Sequence, residues 1–151
     1  MDDLHRAGAR APCKGERDAL GSGLGLALSL LMAGAAFANT NALKNPVVAM
    51  DSPGSFEVVN KWSAKDPYIW CSAAKTARSM GAPTSDRLYV AGACGPSLTM
   101  PGEFGVVFTT RPDEGLLAQS GGMSGVISLH GVGSDNSVAA GLRNCVKELD
   151  T

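Results

Sequence analysis

An uncharged apolar run from Leu20 to Ala38 (LGSGLGLALSLLMAGAAFA) decides how much of this chain is available to build a folded domain. Leu24 to Met32 is its most apolar part, and Lys14 and Arg17 stand just before it. Ala36-Phe37-Ala38 puts small residues at both key positions of an A-x-A site, so residues 1–38 read as a signal peptide cleaved before Asn39. Gly21, Gly23, Gly25 and Gly34 weaken the run as a core helix. They also dilute it as a spanning helix, which needs about 20 strongly apolar residues. An uncleaved N-terminal anchor is the rival reading. Cleavage implies a periplasmic or secreted protein and leaves one modest domain to fold.

Charge says little about a partner. From residue 39 onward nine Lys and Arg stand against ten Asp and Glu, with both signs scattered. No basic stripe suited to nucleic acid is present. No membrane span is expected in the mature chain, and a component of the cell envelope is the partner that export suggests.

Residues 39–55 lack periodicity and read as a flexible lead-in, which leaves 56–151 as the folded unit. Phe56 to Trp62 reads as a strand, with Phe56, Val58 and Trp62 on one face at period two. Asp66-Pro67 is a helix start, with Asp66 as cap and Pro67 in the first turn. That helix runs from Tyr68 to Met80, buries Ile69, Ala73, Ala77 and Met80, and stops at Gly81. Arg87–Ala91, Phe104–Thr110 and Gly125–His130 read as further strands. Gly95–Gly102 is a Pro- and Gly-rich loop, and 111–125 is a long polar connection. Ser134 or Asp135 caps a last helix through Leu149, with Val138, Leu142, Val146 and Leu149 as its apolar stripe. The order predicts an α+β fold: a largely antiparallel sheet of about four strands with two helices on one face.

Cys13 leaves with the export segment, so three cysteines remain. In an oxidising compartment two of them should pair. Cys71, in the first turn of the first helix, and Cys145, on the flank of the last helix, are brought together if both helices pack on one sheet face. Cys94 is then the odd one out.

Several residues are candidates for chemistry. Cys71 at a helix start is acidified by the helix dipole, with His130 on a later strand as its base and Asp135 as a nearby acid. The order of Trp70-Cys71-Ser72-Ala73 and a later histidine resembles NlpC-type cell-wall peptidases, which would imply a thiol hydrolase acting on wall peptides. That family's Asp-Cys-Ser-Gly start and His-Val-Gly strand are absent. The run Ser120–Gly125 (SGGMSG) lacks the frame of a nucleophile elbow and the closing Lys of a phosphate loop. Trp62, Tyr68 and Trp70 offer an aromatic platform for a small ligand, or the bulk of a core. The Gly95–Gly102 loop, stiffened by Pro96 and Pro101 and exposing Ser97 and Thr99, is the candidate binding loop. No cofactor motif occurs, and no C-x-x-C or H-x-x-x-H spacing suggests a metal.

Taken from Trp70 to Cys145, the chain resembles small exported proteins of unknown function in Gram-negative bacteria. The segments that carry the likeness are Trp70-Cys71, Arg87–Val90, Gly95–Gly102, Val107-Phe108-Thr109 and Cys145. The resemblance implies an exported bacterial domain in which Cys71 and Cys145 are partners. It carries no activity.

Overall fold

A computed structural model describes Cys13 and residues 45–63, 65–121 and 128–146. The expected export segment, apart from Cys13, lies outside these residues, as do Gly125–Ile127 and Leu149. In chain order the elements are β1 (Val47–Ala49), β2 (Ser55–Val59), α1 (Asp66–Ser79), β3 (Arg87–Pro96), β4 (Phe104–Thr109), α2 (Glu114–Ser120), β5 (Asp135–Ser137) and α3 (Val138–Val146). The five strands form one antiparallel sheet in the order β1-β2-β4-β3-β5. The class is α+β.

The sheet's core face follows from alternation along the strands. Phe56 and Val58 of β2 stand opposite Phe108 and Val106 of β4, and Val90 of β3 pairs with Phe108. All five are buried, together with Leu88. Helix α1 lays Ile69, Trp70, Ala73, Ala74 and Ala77 into the same cluster. The Trp70 ring meets Phe108 edge-on, 5.1 Å between centroids. Phe108 stacks on Phe56 at 6.1 Å.

Helix α1 ends as its sequence requires. Gly81 adopts φ +94°, its N–H donates to the Arg78 carbonyl, and the Ala82 N–H reaches back to Ala77. A left-handed residue here satisfies carbonyls that the helix leaves open, and glycine adopts it without a Cβ penalty. The start differs from expectation. Lys65 is the cap residue, and Asp66 and Pro67 lie in the first turn, with no side-chain cap. Met80 lies just past the last helical residue and is 43% exposed rather than buried.

Helices α1 and α3 pack closely. A Cβ on Gly141 would come 2.7 Å from the Ala74 Cβ and 3.2 Å from the Trp70 carbonyl oxygen. Three residues before Ala74 and four after Gly141, Cys71 and Cys145 are joined by a disulfide, Cα–Cα 5.0 Å. The crossed order of these two contacts makes the helices antiparallel.

Several boundaries are set by contacts outside the local sequence. Strand β1 falls in the expected lead-in and forms a hairpin with β2. Helix α2 falls in the expected connection after Arg111. Asp113 caps it by accepting from the Leu116 N–H at 2.7 Å, and Leu116 is its one buried residue. Strand β2 stops at Val59, so Trp62 leaves the sheet. Ser128–His130 form a turn rather than a strand end. Asp135 does not cap the last helix but pairs with Tyr89 as part of edge strand β5. The cap is Ser137, whose hydroxyl accepts from the Ala140 N–H at 3.1 Å.

Candidate functional site

The Cys71, His130 and Asp135 constellation is not assembled. Cys71 is the sixth residue of α1, beyond the first turn where the dipole acts most strongly. Its sulfur is bonded to Cys145. Asp135 is buried and forms an ion pair with Arg87, with hydrogen bonds from Nε and Nη2 to Oδ1, which ties β5 to β3. His130 is exposed in its turn. The acid it acts on electrostatically is Asp66. Burial pushes the Asp66 carboxyl above its ordinary range, and the charge of His130 and a backbone hydrogen bond partly offset this.

Cys94, expected to be unpaired, is bonded to Cys13, Cα–Cα 5.8 Å. Cys13, expected to leave with the export segment, is buried in the same apolar cluster as Leu129. The Cys94 N–H donates to the Leu129 carbonyl at 2.8 Å, which holds the strand beside that cluster. All four cysteines are therefore bonded.

The three aromatics do not share a surface. Trp70 is wholly buried, and its indole N–H has no hydrogen-bond partner. Tyr68 is half-buried beneath the Lys65 ammonium, 5.7 Å from its ring. Trp62 is 65% exposed, with the Lys61 ammonium 5.5 Å from its ring.

The candidate binding loop is built on a buried acid, Glu57. This residue points to the sheet face opposite Phe56 and Val58, yet it is only 1% exposed. Its carboxylate accepts four hydrogen bonds from the β3–β4 loop. The Leu98 N–H reaches Oε1 at 2.9 Å. The Ser97 hydroxyl, the Thr99 N–H and the Thr99 hydroxyl reach Oε2 at 3.1, 3.0 and 2.5 Å. Ser97 Oγ in turn accepts from Thr99 and Met100 N–H groups. A tight turn closes the loop: the Glu103 N–H donates to the Met100 carbonyl, with Pro101 next and Gly102 at φ +83°. Those two residue types at those positions suit a type II turn.

This inverts the expected presentation. Ser97 and Thr99 turn their hydroxyls inward to Glu57 and do not offer them to a ligand. What the loop turns outward is Pro96, Pro101 and above all Leu98, which is 71% exposed. Sequence reasoning missed Glu57. The available signal was a charged residue in mid-strand (FEVV) with a Ser/Thr-bearing loop to receive it, since a buried carboxylate needs partners.

Trp62 projects from the same end of the sheet. Asn60 N–H donates to the Phe104 carbonyl at 2.7 Å, and Phe104 pairs on its other side with Pro96. The Trp62 segment is also held from below. Buried Asn45 accepts from the Trp62 and Ser63 N–H groups at 3.0 Å through Oδ1, and its Nδ2 donates to the Ser63 carbonyl at 2.8 Å. Two exposed apolar side chains therefore stand on backbone fixed by two buried polar ones.

Among the described residues, no cluster of His, Cys, Asp or Glu is disposed to hold a metal ion. No described helix is long and apolar enough to cross a membrane. Comparison of the chain with family models, curated proteins and solved structures returns no match.

Proposed function

We propose that this protein is an exported, periplasmic or secreted, non-enzymatic domain that binds an envelope component through the sheet end carrying Leu98 and Trp62. The observation that carries this reading is the Glu57 clamp, which holds an apolar loop tip out in water. Preorganised apolar tips lose little entropy on binding. The Cys71–Cys145 disulfide, which lies wholly in the mature chain, fits an oxidising compartment.

Co-sedimentation of the purified exported protein with isolated envelope fragments tests the binding. Leu98→Ser and Trp62→Ala should each reduce retention while leaving the folded spectrum intact. Retention unchanged in both, or absent in the wild type, ends the proposal.

Export is tested by the mass of the protein under non-reducing conditions after alkylation. Cleavage before Asn39 with release of the leader removes Cys13 and leaves a Cys94 thiol to take the label. A leader held by the Cys13–Cys94 bond adds its mass until the sample is reduced. The thiol-hydrolase alternative needs a free Cys71, so a Cys71 joined to Cys145 in the exported protein leaves it without a nucleophile.

A further inference from the structure

We propose that the partner of this sheet end is a lipid surface: Leu98 and Trp62 insert at the interface of an anionic bilayer while Lys61 and Lys65 meet its headgroup phosphates. The inference rests on the binding role proposed above and names the partner. The two tips share one end of the sheet. Asn60 and Pro96 flank Phe104 from either side, and Trp62 and Leu98 each lie two residues further along the chain, past the strand ends. Strand spacing puts the bases of the tips about 10 Å apart. Leu98 and Trp62 are also the two most exposed large apolar side chains among the described residues. Both stand on backbone that buried Glu57 and Asn45 hold in place.

The charges around Trp62 decide for lipid over protein. Lys61 and Lys65 are both exposed, and each carries its ammonium against an aromatic ring, 5.5 Å from Trp62 and 5.7 Å from Tyr68. The acids of this end are less exposed: Glu57 is buried under the loop, and Asp66 and Glu103 are half-buried. Lysine is depleted at the core of protein interfaces, where its strongly hydrated ammonium would lose water. At a bilayer the same arrangement is favoured. An aromatic ring sits at headgroup level, and a lysine beside it lays its stem on apolar surface and keeps its charge among the phosphates. Anionic lipid attracts each such lysine.

The purified exported protein is pelleted with vesicles of phosphatidylethanolamine and phosphatidylglycerol, with phosphatidylcholine vesicles, and with envelope fragments. Retention on the phosphatidylglycerol vesicles should exceed that on phosphatidylcholine several-fold and fall in high salt. Tryptophan emission should shift to the blue on binding. Trp70 is already wholly buried, so Trp62→Ala should abolish the shift. Lys61→Ala and Lys65→Ala should each weaken binding by about fivefold, and Leu98→Ser should weaken it with both lysines in place. No retention on either vesicle, equal retention on both, or undiminished retention in the Leu98 and Trp62 variants overturns the proposal. Protein held by envelope fragments but not by phosphatidylglycerol vesicles refutes the lipid partner and leaves the envelope-binding reading standing; protein held by neither refutes both.

Discussion

The carboxylate of Glu57 lies over the backbone of Gly105: a Cβ built on Gly105 would sit 2.2 Å from Oε1. The two are diagonal neighbours on one face of the β2–β4 pair, where Val59 is opposite Gly105 and Glu57 is opposite Val107. Only glycine leaves room for the carboxylate to reach the β3–β4 loop. Gly105→Ala should therefore displace the carboxylate and destabilise the protein by about 1–3 kcal/mol, the usual range for overpacking. Chemical denaturation reads the loss, and an unchanged midpoint would show that the carboxylate has another resting place.

Glu57→Gln tests the clamp itself. The amide keeps the shape but replaces one acceptor oxygen with an NH2 donor facing donors from Ser97, Leu98 and Thr99. Leaving such buried donors unpaired costs roughly 1–3 kcal/mol. Amide hydrogen exchange at Leu98 and Thr99 should accelerate, while exchange in α1 changes less. Protection at Leu98 and Thr99 equal to the wild type would mean that the loop holds its shape without the carboxylate.

Gly141→Ala sets helix propensity against packing. Alanine favours a helix over glycine by about 1 kcal/mol. Here the added methyl would lie 2.7 Å from the Ala74 Cβ. We expect net destabilisation, and partial recovery in the double variant with Ala74→Gly. A single variant more stable than the wild type would show that α3 shifts freely on α1.

How much of this was legible follows physical lines. Helix α1 was legible from Pro67 to Gly81, because both ends are marked by residues with one conformational use. Strands β2 and β4 were legible because Phe56/Val58 and Val106/Phe108 alternate toward a core. Strand β5 was not: Asp135-Asn136-Ser137 favour turns, and their pairing is imposed by β3 and the Arg87–Asp135 contact. Helix α2 buries only Leu116 and so leaves no apolar stripe to read. The loop at Ser97–Pro101 was found but turned inside out. The residue that orients it lies some 40 positions earlier, and mid-strand acids usually face water.

The Cys71–Cys145 bond closes a loop of 74 residues between two packed helices. Cross-links of that span stabilise by roughly 2–4 kcal/mol, mainly by restricting the unfolded chain. Cys145→Ser should lower the denaturation midpoint correspondingly and leave Cys71 a free but buried thiol that is alkylated once the protein is unfolded. A midpoint within error of the wild type would place the helix pairing wholly in contacts such as Gly141 with Ala74.

Asp66 gives the fold a pH dependence of definite sign. Burial raises its carboxyl above the ordinary value, with His130 and a backbone hydrogen bond opposing. Because the folded pKa exceeds the unfolded one, the native state holds more protons between the two values, and stability falls as pH rises through that window. Below the unfolded value both states are protonated and the penalty vanishes; above the folded value it is present in full. Asp66→Asn removes the ionisation. Relative to the wild type, the variant should therefore gain stability as pH rises from the ordinary carboxylate value through the raised folded one, and the difference levels off above it. Removing His130 as well should not restore the wild-type slope, since its charge acts through the Asp66 carboxylate. Paired denaturant titrations at acid and neutral pH measure the difference directly. A variant that loses stability toward neutral pH would mean that the Asp66 charge is favoured in the folded state, by the N-terminal turn of α1 and His130 together.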